Sequence, residues 1–127
     1  MRSIIARVLI AAAIVSTSMA QEKTPRFHRW AQKPPMGWNS WDSFATTVTE
    51  AQTKAHADFM AQHLKLYGWQ YIVVDIQWYE PVAKGYDYRK NAKLEMDQWG
   101  RLLPAPNRFP GGFKALADYV HRRGLKF

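Results

Sequence analysis

The sequence predicts an α/β fold with parallel strands, on three observations. Short apolar runs alternate with segments of helical period. The clearest run, Tyr71-Ile72-Val73-Val74, is apolar without alternation. The residues that do not suit a core, such as Asp75, come just after the runs. A strand apolar on both faces belongs to a parallel sheet covered on both sides, and alternating strands and helices give parallel pairing.

The chain opens with Arg2 and Arg7, the apolar run Val8 to Val15, and Ser18-Met19-Ala20. This is the pattern of a secretory signal peptide over residues 1–20, cut after Ala20. The run is too short to cross a bilayer, which takes about 20 apolar residues. Export to a periplasmic or extracellular location is expected, with no stable membrane insertion after cleavage. There is no Cys among the 127 residues. The chain therefore has no lipid-bearing Cys, forms no disulfide and builds no Cys-ligated zinc site. Net charge is +8, of which Arg2 and Arg7 supply two, leaving +6 on the remainder. Those bases are interspersed with acids, as at Lys93, Glu95, Asp97 and Arg101. That pattern is a solvated face, and no nucleic-acid partner is expected.

Residues 21–33 are polar and read as an N-terminal arm. Pro34-Pro35 lead into Met36–Trp38, a short first strand, with Asn39-Ser40 as a turn. Thr49 and Gln52 then have capping-box spacing. Ala55, Phe59, Met60, Leu64 and Tyr67 follow as an apolar stripe of helical period, and Gly68 is a left-handed stop. The helix is expected from Glu50 to Tyr67. The second strand lies within Trp69 to Asp75. Residues 76–111 form a long connection carrying Trp78, Tyr79, Tyr86, Tyr88, Trp99 and Phe109. So many aromatics argue for an ordered, functional loop. A second helix starts near Gly112, with Phe113, Leu116, Ala117 and Val120 on one face. His121, Arg122 and Arg123 suit the negative end of its dipole. Leu125–Phe127 begins a third strand.

Two α/β folds compete. A dinucleotide-binding fold accounts for Asp75 at the end of the second strand, but it needs a glycine-rich turn after the first. Here Asn-Ser-Trp-Asp-Ser-Phe stands in that place. A (β/α)8 barrel sets its site on the loops at the C-terminal ends of the strands, where Trp41 and Asp75 fall. Such a barrel takes about 250 residues. Residues 34–127 thus read as the N-terminal βαβαβ portion of a (β/α)8 TIM barrel, incomplete in this chain.

The blocks "PPMGWNSWDSF" (34–44), "YIVVDIQW" (71–78) and "GRLLPAPNRFPGGFKALADYVHRRGLKF" (100–127) resemble, in this order, the start of the glycoside hydrolase family 27 α-galactosidases, or melibiases. The resemblance implies a barrel glycosidase that hydrolyses terminal α-D-galactosides with retention, using no metal or organic cofactor. Retention needs two carboxylates about 5–5.5 Å apart. In the family both come from later strands, so the catalytic pair is expected beyond Phe127. Two residues carry over as sugar binders. Trp41 matches the Trp that packs on the sugar, and Asp75 matches the first of two adjacent aspartates that accept from its hydroxyls. Ionised acceptors make the stronger hydrogen bonds. Ile76 stands where the second aspartate would be, and Gln77 where a Cys follows. Loss of that acid opens an alternative, β-L-arabinopyranose, which lacks the C6 hydroxymethyl. A non-catalytic carbohydrate-binding chain is a further alternative. The remaining candidates read as structural. His56 and His63 lie seven residues apart on a helix, too far to share a metal. Asp42, Asp118, Glu80, Glu95 and Asp97 read as solvated carboxylates.

Overall fold

The computed structural model describes residues 25–127. The expected signal segment lies outside the described residues. The chain divides after Gln32 into two units. In the first, Arg26–Arg29 form one 3-10 turn within the expected arm.

In the second unit β1 is Gly37–Asn39 and β2 is Tyr71–Val73. They pair in parallel, with Gly37 opposite Tyr71 and Asn39 opposite Val73. Glycine is required at 37, because a Cβ there would overlap the Tyr71 carbonyl. On the far side of β2, Lys126 makes a parallel bridge to Tyr71. The Ile72 N–H donates to the Lys126 carbonyl at 2.9 Å, and the Lys126 N–H donates to Gln70 at 2.7 Å. β2 is one residue shorter than its apolar run, and β1 lies one residue later than expected, taking in Asn39 of the expected turn.

The helices are α1 (Trp41–Phe44), α2 (Glu50–Phe59) and α3 (Gly112–His121). The capping box at Thr49 forms as expected. Gln52 accepts from the Thr49 N–H at 2.9 Å, and Thr49 accepts from the Gln52 N–H at 3.3 Å. After Phe59 the helix widens into a π-helical stretch, Met60–Leu64, then tightens through Lys65–Tyr67. Gly68 stops it in the left-handed conformation at φ 93°. The extent expected from sequence is therefore met, although its last two turns are not α-helical.

The expected apolar stripe of this helix holds in part. Met60 is buried and Leu64 packs against the core as expected, but Thr53 and Ala57 are buried beside them, whereas Ala55, Phe59 and Tyr67 are exposed. Close approach to α3 and β2 selects the small Thr53 and Ala57 for the inside face. On α3 the expected face holds, with Leu116 and Val120 fully buried and Phe113 against the core. α2 and α3 are clasped by Asp58, which accepts from the Tyr119 hydroxyl at 2.8 Å and pairs with Arg123. The core gathers Val48, Ala57, Met60, Ile72, Phe109, Leu116, Val120 and Leu125 on one side of the sheet. β2 is consequently not buried on both faces. Ile72 points into this core, while Val73 is exposed because no described element covers its side of the sheet.

Candidate functional site

Parallel pairing brings the ends of β1 and β2 to the same edge of the sheet, and the chemistry gathers there. Asn39 ends β1, and its side-chain oxygen accepts the Trp41 N–H at 2.8 Å. This places Trp41 at the start of α1, half-buried, with its ring edge-on to Tyr86 at 5.4 Å. Ser40 between them is fully buried. Its N–H donates to the Val73 carbonyl at 3.0 Å, and its hydroxyl accepts the Asp75 N–H at 2.9 Å. One residue thus ties the turn carrying Trp41 to the strand end carrying Asp75. The Asp75 carboxylate accepts the Ile76 N–H at 2.7 Å. One of its oxygens is fixed by its own backbone. Ile76 beside it is 52% exposed.

The connection 76–111 is ordered, and its anchor is Arg108. The buried guanidinium donates to the carbonyls of Thr46, Val48 and Gln77. It thereby pins the segment after α1 to the segment after β2. Burial pushes its pKa down from the ordinary arginine value, and the nearby Glu80 carboxylate offsets part of that. Gln77 is held at φ 60°, a left-handed conformation costly for a residue with a side chain. The Arg108 bond to its carbonyl helps hold it there.

Several sequence expectations are corrected in this loop. Glu80 is not solvated but 2% exposed. Its carboxylate lies 3.4 Å from Arg89, whose Nη1 donates to the Val82 carbonyl at 2.6 Å. A buried carboxylate persists where cations face it, and neither arginine is close to it in sequence. Asp97 accepts the backbone N–H groups of Trp99 and Arg101, each at 2.9 Å, and the Arg101 Nε–H at 2.6 Å. It closes a turn bridged at Met96 and Leu102. Trp78, placed by sequence in the loop, packs into the core against Phe113 at 4.8 Å. Tyr79 stays with the loop and lines a pocket of about 210 Å³ together with Gln77, Glu80, Tyr88 and Arg89. His56 is stacked on Trp38 at 4.3 Å, as a packing group. Among the described residues no three His, Cys, Asp or Glu side chains are grouped to hold a metal, and no helix is long and apolar enough to cross a membrane.

Sequence reasoning missed Tyr86 as the neighbour of Trp41. Its only signal was membership of the aromatic-rich loop.

The family model described as alpha galactosidase A (Melibiase_2) matches residues 33–127. Alpha-galactosidase A of Cellvibrio japonicus is 37% identical over 119 residues, which are 93% of this chain and 25% of that protein. Alpha-galactosidase of Cyamopsis tetragonoloba is 42% identical over 96 residues, 75% of this chain and 20% of that protein. Among solved structures, a GH27 β-L-arabinopyranosidase from Geobacillus stearothermophilus, in complex with arabinose, superposes with a TM-score of 0.77 at 55% identity. That match covers 80% of this chain and 25% of the other. The chain spans about a fifth to a quarter of the length of these relatives. With the family model matched from Lys33 to Phe127, the chain belongs to glycoside hydrolase family 27, the α-galactosidase (melibiase) family.

Proposed function

We propose that this chain is the first part of the (β/α)8 barrel of an exported retaining glycosidase, and that the whole enzyme releases terminal β-L-arabinopyranose rather than α-D-galactose. The two sugars present the same arrangement of ring hydroxyls and differ at C6. Trp41 covers the apolar C–H face of the ring and excludes water, while Asp75 accepts hydrogen bonds from its hydroxyls. The catalytic carboxylates come from outside residues 25–127. The bare side of β2 at Val73 faces the barrel interior.

One observation carries the choice of sugar. Ile76, exposed beside Asp75, offers no acceptor for a hydroxymethyl group. Placing a C6 hydroxyl against it would strip that hydroxyl of water and return nothing. A sugar without C6 makes no such loss. That a GH27 β-L-arabinopyranosidase is 55% identical over 80% of this chain supports an arabinoside as a substrate. The test is the release of nitrophenol by the full-length protein from the aryl β-L-arabinopyranoside and the aryl α-D-galactopyranoside. A higher kcat/KM for the arabinoside is expected. A strong preference for the galactoside would overturn the choice of sugar, and inertness toward both would overturn the glycosidase reading.

Export rests on the pattern of residues 1–20. The mature protein is expected to begin at Gln21, which N-terminal sequencing of the secreted or periplasmic material checks.

A further inference from the structure

We propose that Tyr86 forms, with Trp41, an aromatic corner that receives the leaving group of the glycoside, a ring with a flat apolar face such as a second pyranose or an aryl group. The inference rests on the proposed glycosidase function and extends it to the side of the bond that neither Asp75 nor Ile76 addresses.

Tyr86 is 72% exposed, although its ring meets Trp41 edge-on at 5.4 Å. The turn that presents it is pinned. The Thr46 hydroxyl donates to the Gly85 carbonyl at 2.6 Å, and Asp87 N–H donates to the Lys84 carbonyl at 3.0 Å. Gly85 takes φ 57°, which a side chain would resist. Thr46 is itself held by Arg108 through its carbonyl. The same buried guanidinium therefore fixes the base on which Tyr86 stands and the backbone after Asp75.

Direction follows from the barrel. Trp41 and Asp75 lie just past the strand ends, and Tyr86 stands on the connection 76–111 that leaves β2 there. The interior of such a barrel is filled with side chains, so a sugar held by Asp75 has its leaving group toward the loops. The two rings meet at a right angle, with an interplanar angle of 87°. That gives one wall for each of two successive rings of a substrate. No charged group is needed, which suits a neutral partner.

The experiment uses the full-length enzyme with two glycosides of the same sugar, one with an aryl and one with a methyl leaving group. Tyr86→Ala is expected to raise KM for the aryl glycoside roughly three- to tenfold, the range of one aromatic contact. The methyl glycoside and inhibition by the free sugar should stay within about twofold of the parent, since neither loses that contact. Tyr86→Phe should match the parent on both substrates, because the ring and not the hydroxyl makes the contact. Tyr67→Ala, an exposed tyrosine at the end of the α2 segment, should change nothing. Equal losses on both glycosides, or no loss on either, would overturn the corner while leaving the glycosidase reading in place. A parent that cleaves neither glycoside overturns both. Unchanged thermal melting of Tyr86→Ala, expected for an exposed side chain, separates a loss of contact from a loss of fold.

Discussion

The hydroxyl of Ser40 accepts the backbone N–H of Asp75 at 2.9 Å, across the two strand ends. A buried serine thus sets where the carboxylate stands relative to Trp41. Ser40→Ala leaves that N–H without a partner, which costs about 1–3 kcal/mol. Lower thermal stability of the full-length protein is expected, together with a KM that rises more than kcat falls, because the bond positions the carboxylate proposed to bind the sugar. Unchanged melting and kinetics would remove Ser40 from the account.

Arg108 is the costlier residue to lose. It serves three carbonyls on two segments and faces the buried Glu80. Arg108→Met strands those carbonyls and leaves the buried Glu80 carboxylate with Arg89 alone, and breaking such a group costs about 3–5 kcal/mol. Glu80→Gln removes the charge but keeps the shape, and should cost less. In the double variant the losses should fall short of additive by at least about 0.5 kcal/mol, the threshold of contacting residues. Chemical denaturation of the four proteins measures it. Strict additivity would show that the two groups do not interact.

The Thr49 cap offers a local test. Thr49→Ala should destabilise by about 1 kcal/mol, while Thr49→Ser keeps the hydroxyl and most of the stability. Equilibrium unfolding of the two variants distinguishes them. Equal stability of the alanine and serine forms would mean that the hydroxyl does no capping.

Acid stability should depend on Glu50. Burial opposes its ionisation. The hydrogen bonds from Lys54 and from the Gly111 N–H outweigh that and hold its carboxyl below the ordinary glutamate value. A carboxyl whose folded pKa is depressed stabilises the fold above its unfolded pKa, about 4.3, and loses that contribution as pH falls through the folded value. Glu50→Gln should lower stability at neutral pH and flatten the decline between pH 5 and the acid limit. An unchanged acid profile would contradict the assignment.

How much of this was legible in the sequence depends on how local the cause is. The helix beginning at Glu50 and its stop at Gly68 were readable, because a cap and a left-handed glycine act within a few residues. That Trp41 and Asp75 lie at one edge of the sheet was readable, because each comes within two residues of the end of its strand. The inner face of α2 was not, because it is decided by α3, whose close approach favours Thr53 and Ala57 over Phe59 and Tyr67. Glu80 was assigned to solvent because its cationic neighbours arrive from Arg89 and Arg108, and no periodicity joins them. Tyr86 was visible only as one more aromatic until the loop folded it against Trp41.

The central claim is that Ile76, beside Asp75, selects a sugar without a C6 hydroxymethyl. The most direct measurement is the ratio of kcat/KM for aryl β-L-arabinopyranoside over aryl α-D-galactopyranoside, in the full-length parent and in Ile76→Asp. The parent should favour the arabinoside. The aspartate should shift the ratio toward the galactoside by roughly tenfold or more, the effect of one charge-assisted hydrogen bond of about 1.5–3 kcal/mol. A ratio that is the same in both proteins would contradict the claim.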